Sequence, residues 1–153
     1  MRVVHMMVGI PGSGKSTYVK ELADQLKCEV VATDEVRNAN PNWDETKIWP
    51  EVYRLCGEKL KAGQDIIYDA TNITPKVRAR FIEEVKKYYN NFNIGTYYFD
   101  TPWQECLRRI IIRNENPNER YLPPAVVSSY ANNIIIPTTD EGFVFIKTIK
   151  YKE

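Results

Sequence analysis

Hydrophobic positions along this chain change period from segment to segment. Residues 2–8, RVVHMMV, form an almost unbroken apolar run, which predicts a strand buried on both faces. From Lys15 to Lys27 the period becomes helical, with Val19, Leu22, Ala23 and Leu26 on one stripe. EVVAT (29–33) reads as a second strand. Pro50 is expected in the first turn of a helix that runs to about Ala62 and stops at Gly63. DIIYDAT (65–71) is a third strand with a polar end. Thr74 is expected to cap a helix that starts at Pro75 and turns Val77, Phe81, Ile82 and Val85 inward. FNIGTYYFD (92–100) gives a fourth strand. Residues 103–113 return to helix, with Trp103, Leu107, Ile110 and Ile111 spaced as an apolar face. A polar stretch with prolines (114–124), a short helix AVVSSYANN and a last strand GFVFIKTI (142–149) complete the order.

Strands alternating with helices predict right-handed crossovers and a mainly parallel sheet with helices on both faces, an α/β three-layer sandwich. No repeat, low-complexity tract or composition shift divides the chain, so one domain is expected over residues 1–153. Ligands of such sheets bind beyond the carboxyl ends of the strands. The loops after residues 8, 33, 70 and 100 should therefore share a crevice.

The first of those loops carries the strongest chemistry. In VGIPGSGKST, Gly9, Gly14, Lys15 and Ser16 satisfy G-x-x-x-x-G-K-[ST] between a strand and a helix. The glycines permit a tight turn whose backbone N–H groups cluster toward an anion, and the following helix adds the positive end of its dipole. Gly12, Ser13, Gly14, Lys15, Ser16 and Thr17 are thus assigned to the phosphates of ATP, with Lys15 on the terminal phosphates and Ser16 on Mg²⁺. After the second strand, TDEVR offers Asp34 as a proton acceptor for an attacking hydroxyl and Arg37, one turn later, for an anionic group of the acceptor. Helix capping by Asp34 and a solvated Arg37 would explain the same residues. Asp69, in YDATN, is positioned to hold Mg²⁺ through water or to cap the next turn, and Thr71 and Asn72 to orient the acceptor or the phosphates. Arg109 and Arg113, with Arg120 beyond, suit a lid that neutralises triphosphate charge, although Glu105 lies four residues before Arg109 in the order that favours a surface ion pair. Arg78 and Arg80 read as surface residues, and His5 and most of the ten tyrosines as packing.

Charge and cysteines narrow the setting. Twenty-one Lys and Arg against 20 Asp and Glu argue against a sequence-blind nucleic-acid coat, though a local basic patch is compatible with that balance. Three scattered cysteines match no metal spacing and read as reduced thiols. No signal peptide precedes the first strand and no apolar run suits a bilayer, so a cytoplasmic location without membrane partners is expected. No protein partner can be inferred.

Taken in order, GIPGSGKST, TDEVR, YDATNITPKVRARF, FDTPWQECLRR and the arginine-bearing segment after them resemble the kinase domain of phage-type polynucleotide 5′-hydroxyl kinases, which are P-loop kinases of an AAA-like ATP-binding kind. The similarity runs from residue 3 to about 135. It implies an adenylate-kinase-like P-loop NTPase fold with a helical lid at about 109–124. It also implies that Lys15 and Ser16 bind the triphosphate and Mg²⁺, that Asp34 is the general base, that Arg37 grips an acceptor phosphate, that Asp69 is the aspartate of the D-x-T-N segment and that Arg109 and Arg113 engage the donor phosphates. With the residue reading, catalytic roles are expected for Lys15, Asp34, Arg37 and Arg113, acceptor contacts for Asp34, Arg37 and Asn72, and a metal at Ser16 and Asp69. The acceptor so implied is the 5′-OH end of DNA or RNA. Residues 103–123 are a few residues longer than in the phage enzymes, and the D-x-D-x-T signature of their 3′-phosphatase domain is absent, so no phosphatase activity is expected. A kinase of a nucleoside or another small hydroxyl, a nucleotide-dependent switch and a stand-alone ATPase share much of this framework.

Overall fold

The structure, a computed structural model, describes residues 1–152. Its strands are β1 (Arg2–Val8), β2 (Glu29–Ala32), β3 (Ile66–Asp69), β4 (Phe92–Asp100) and β5 (Ile146–Lys150). Its helices are α1 (Lys15–Leu26), α2 (Thr33–Ala39), α3 (Glu45–Lys61), α4 (Pro75–Lys86), α5 (Trp103–Asn114) and α6 (Pro124–Asn133), with a 3₁₀ turn at Thr139–Glu141. The sheet order is β2-β3-β1-β4-β5, and every pairing is parallel. β1 is central, paired over its whole length with β4 (Arg2 opposite Phe92, Val8 opposite Tyr98).

Period-two geometry sends alternate β1 side chains to opposite faces. Val4, Met6 and Val8 join α3 and α4 residues Ile48, Val52, Leu60, Phe81 and Val85 in the larger core cluster. Met7 packs with Val19 and Leu22 of α1, Ile67, Tyr97 and Phe99 on the other face. A third cluster of Ile10, Cys106, Ile110 and Val127 binds α5 and α6 to the loop after β1. The expected three layers are present, with helices covering both faces of the sheet. Cys28, Cys56 and Cys106 are free thiols. Among the described residues no helix is long and apolar enough to cross a membrane.

Four local expectations need correction. α3 starts at Glu45, where the Asp44 side chain accepts from the Thr46 amide, so Pro50 lies inside the helix instead of in its first turn. The ring forfeits one i→i−4 bond, and the apolar face of Ile48, Val52, Cys56 and Leu60 outweighs that loss. On α4, Val77 is 43% exposed and Arg78 is completely buried, the reverse of the expected pattern. Arg78 is accommodated because it is paired: Nε and Nη2 donate to the Glu141 carboxylate at 2.8 and 3.1 Å, and Nη1 donates to the Asn72 carbonyl at 2.8 Å. On α5, Cys106 and Ile110 face inward while Trp103 and Ile111 are exposed, because the helix packs sideways on α6 and not flat on the sheet. Residues 142–145 precede β5 and are not strand.

Candidate active site

The loop after β1 holds its shape through its carbonyls. Lys15 Nζ donates to the Gly9 and Ile10 carbonyls at 3.0 and 2.8 Å, Thr101 Oγ1 to Ser13 O at 2.9 Å and Arg109 Nη1 to Gly12 O at 3.1 Å. Anchoring of the carbonyls leaves the first-turn amides of α1 for an anion, since they have no intrahelical acceptors. Gly12 and Gly14 stand at φ 82° and 100°. A Cβ on Gly12 would come within 2.6 Å of the Cys106 carbonyl oxygen, so the loop requires glycine there for space as well as for conformation. Burial pushes the Lys15 ammonium down to about 8, against an opposing pull from the Asp69 carboxylate. The lysine that would meet the triphosphate is therefore turned back on its own loop, its charge only partly compensated.

Lys15 and Ser16 line a cavity of about 670 Å³ together with Asp34, Arg37, Asp69 and Arg113. The loops after β1, β2 and β3 thus converge as the strand order predicts. Asp34 is in the first turn of α2, where its carboxylate accepts from Arg37 Nη1 at 2.8 Å and from Arg120 Nη1, 86 residues away, at 3.1 Å. Arg37 Nε donates to Glu45 at 3.0 Å, and the guanidinium lies 5.5 Å above the Trp49 ring. Asp69 is largely enclosed at the end of β3; burial raises its carboxyl, with Lys15 acting in the other direction and Asp34 and Glu35 adding to the rise. A carboxylate and a hydroxyl on one cavity wall suit Mg²⁺, which takes few protein oxygens and completes its shell with water and phosphate.

Arg109 and Arg113 lie one turn apart on α5, in the first half of the expected lid segment, but their environments differ. Arg109 pairs with Glu105 at 3.1 Å, the surface pairing foreseen from spacing, yet the same guanidinium holds Gly12 O and sits 5.6 Å above the Tyr151 ring. Arg113 enters the large cavity, and its buried Nε has no hydrogen-bond partner. Asn72 is corrected from an acceptor contact to a latch. It is 2% exposed and stands at φ 48°, and its amide donates to Met7 O at 2.8 Å, tying the end of β3 to the end of β1. Arg78 in turn grips the Asn72 carbonyl. Sequence reasoning passed over Glu45 and Trp49, which belong to a helix whose first turn was expected at Pro50. It also passed over a second cavity of about 530 Å³, on the far side of the phosphate loop, lined by Thr17, Phe99, Thr101, Arg109, Ile149 and Tyr151. No spacing rule links residues so far apart in the chain.

The AAA domain family matches residues 4–134, from the third residue of β1 to the residue after α6. The chain belongs to the AAA domain family. Within it, this AAA domain is 24% identical over 147 residues, 96% of its length, to a bifunctional polynucleotide phosphatase/kinase of Schizosaccharomyces pombe, and spans 33% of that protein. Its fold resembles that of a fungal RNA kinase (TM-score 0.72, 15% identity, 99% of this chain and 75% of that one). It also resembles that of a gluconokinase from Sinorhizobium meliloti 1021 (TM-score 0.63, 13% identity, 100% and 86%). The fold of this AAA domain is thus that of P-loop kinases, and the resemblance to polynucleotide kinases read from its motifs extends to a relative matched over almost the whole chain.

Proposed function

We propose that the protein transfers the γ-phosphoryl group of ATP, with Mg²⁺, to a hydroxyl, and that this hydroxyl is the 5′-OH end of DNA or RNA. The carrying observation is that the phosphate loop and the Asp34–Arg37 pair line one cavity. The acceptor oxygen attacks the γ-phosphorus, a new P–O bond forms as the β–γ bridge breaks, and ADP departs with the bonding electrons. Asp34 takes the hydroxyl proton. Lys15 leaves its carbonyls for the phosphates, and Arg113, which lines the same cavity, meets charge on the transferring group. Ser16 and Asp69 would hold Mg²⁺, which supplies charge neutralisation on the phosphates. The second cavity suits the donor base, held between the phosphate loop and the Arg109–Tyr151 pair.

The polynucleotide acceptor is supported by the motif order and by the name of the S. pombe relative. A small-hydroxyl kinase is the second reading, favoured by a fold shared with a gluconokinase and by a net charge of +1. Transfer of labelled γ-phosphate to a panel of 5′-OH DNA, 5′-OH RNA, a nucleoside 3′-phosphate, free nucleosides and gluconate separates the two. Label on nucleic-acid ends is expected; label confined to nucleosides or gluconate would replace the acceptor, and ATP hydrolysis with no labelled acceptor would remove the kinase.

A further inference from the structure

We propose that Arg120, on the loop between α5 and α6, is a positioning residue for the proton acceptor, holding one oxygen of Asp34 so that the other is left for the attacking hydroxyl. This inference rests on the proposed kinase reading, and it takes Arg120 from the lid cations assigned to the triphosphate to the acceptor side of the cavity. Asp34 Oδ1 accepts from Arg37 Nη1 at 2.8 Å and from Arg120 Nη1 at 3.1 Å. Among the described residues no hydrogen bond reaches Oδ2. The terminal torsion of an aspartate is soft, and one partner on its own helix leaves the carboxylate able to swing. A second donor, brought from 86 residues away, stops that motion at Oδ1 and leaves the lone pairs of Oδ2 to receive a proton.

The loop that delivers Arg120 is built to hold it still. Asn114, the last residue of α5, donates Nδ2 to the Leu122 carbonyl at 2.8 Å and accepts from the Leu122 amide at 3.0 Å, clipping the two ends of the loop together. Within it, Asn116 Oδ1 accepts from the Asn118 amide at 3.0 Å and the Asn116 carbonyl from the Glu119 amide at 3.1 Å. The segment thus keeps its shape through its own polar groups, and Arg120 and Leu122 line the cavity with Asp34. The arginines divide the work. Arg109 donates to Gly12 O in the phosphate loop, whereas among the described residues Arg120 bonds no residue of that loop. The Arg120 and Asp34 side chains are 52% and 62% exposed, so their pairing adds little to global stability and its contribution is orientation of the carboxylate.

The test is a double-mutant cycle in single-turnover transfer of labelled γ-phosphate to a 5′-OH oligonucleotide, with ATP binding followed by calorimetry. Arg120→Gln is expected to lower turnover by about ten- to a hundredfold at unchanged ATP affinity, with part regained in Arg120→Lys. In an Asp34→Ala background the same replacement should cost less than about twofold, since residues that act as a unit are not additive. A contact to the donor phosphates, or a merely structural role, would cost the same in both backgrounds. Amide exchange across residues 115–121 reads the pair without catalysis, and both Arg120→Gln and Asp34→Ala should speed it. Equal costs in the two backgrounds, weakened ATP binding in Arg120→Gln, or unchanged exchange in both variants would each overturn the inference. Faster exchange in both variants with no label transferred by wild type would uphold the Arg120–Asp34 pairing and overturn the kinase reading instead.

Discussion

Lys15 shows how one side chain carries two constraints at this site. Its ammonium, pushed down to about 8 by burial, sits against the Gly9 and Ile10 carbonyls. Between about 8 and its ordinary 10.5 the unfolded chain binds a proton that the folded chain has released, so Lys15 makes the apo protein more stable as pH rises through that window. A triphosphate demands the charged form, so nucleotide affinity is expected to fall above about pH 8, with proton uptake on binding; calorimetry in buffers of different ionisation enthalpy reads both. Asp34→Asn tests the proton acceptor. It should retain ATP affinity while turnover drops by roughly 10²–10⁴-fold, and single-turnover transfer at saturating ATP checks it. Arg78 is the residue whose role the sequence concealed. Arg78→Met strands a mostly buried Glu141 carboxylate and the Asn72 carbonyl, and is expected to cost about 3–5 kcal/mol in urea unfolding, with part recovered by adding Glu141→Gln.

Among the elements, the turn between β1 and α1 has the least freedom. Gly12→Ala places a methyl group against the Cys106 carbonyl of α5 at a φ that alanine avoids, so it should abolish nucleotide binding in a chain whose far-ultraviolet dichroism is preserved. α4 is anchored differently, by Thr74 accepting from the Val77 amide ahead of Pro75. Thr74→Ala is expected to lower stability by about 1 kcal/mol, read as a shifted urea midpoint with an unchanged slope. That start was legible in the sequence, because cap and first-turn proline are local signals. The start of α3 was not, because Pro50 mimics a first-turn proline and only the packing of Ile48 on the sheet shows that the helix begins five residues earlier. The inward face of α5 was hidden for the same reason: its partner is α6 and the phosphate loop, neither of which can be placed from periodicity.

For the whole molecule, a cavity lined by the loops after β1, β2 and β3 together with Arg113 and Arg120 couples ligand binding to global stability. ATP with Mg²⁺ at a hundred times its dissociation constant should add about 2.7 kcal/mol and raise Tm by about 5–10 °C, whereas Lys15→Ala should show almost none of that rise. The alternating strands and helices and the glycine-rich loop after β1 followed from local pattern, since hydrophobic period, capping and glycine placement act over a few residues. Asp34, Arg37 and Asp69 could be named as candidates because parallel topology sends strand ends to one side. Burial of Arg78 against Glu141, the retreat of Asn72 into a latch, the tethering of Arg37 by α3 and the reach of Arg120 to Asp34 depend on contacts across 6 to 86 residues. Whether a charged side chain is solvated or paired is decided by which element closes over it, and that is set by the packing of the whole chain.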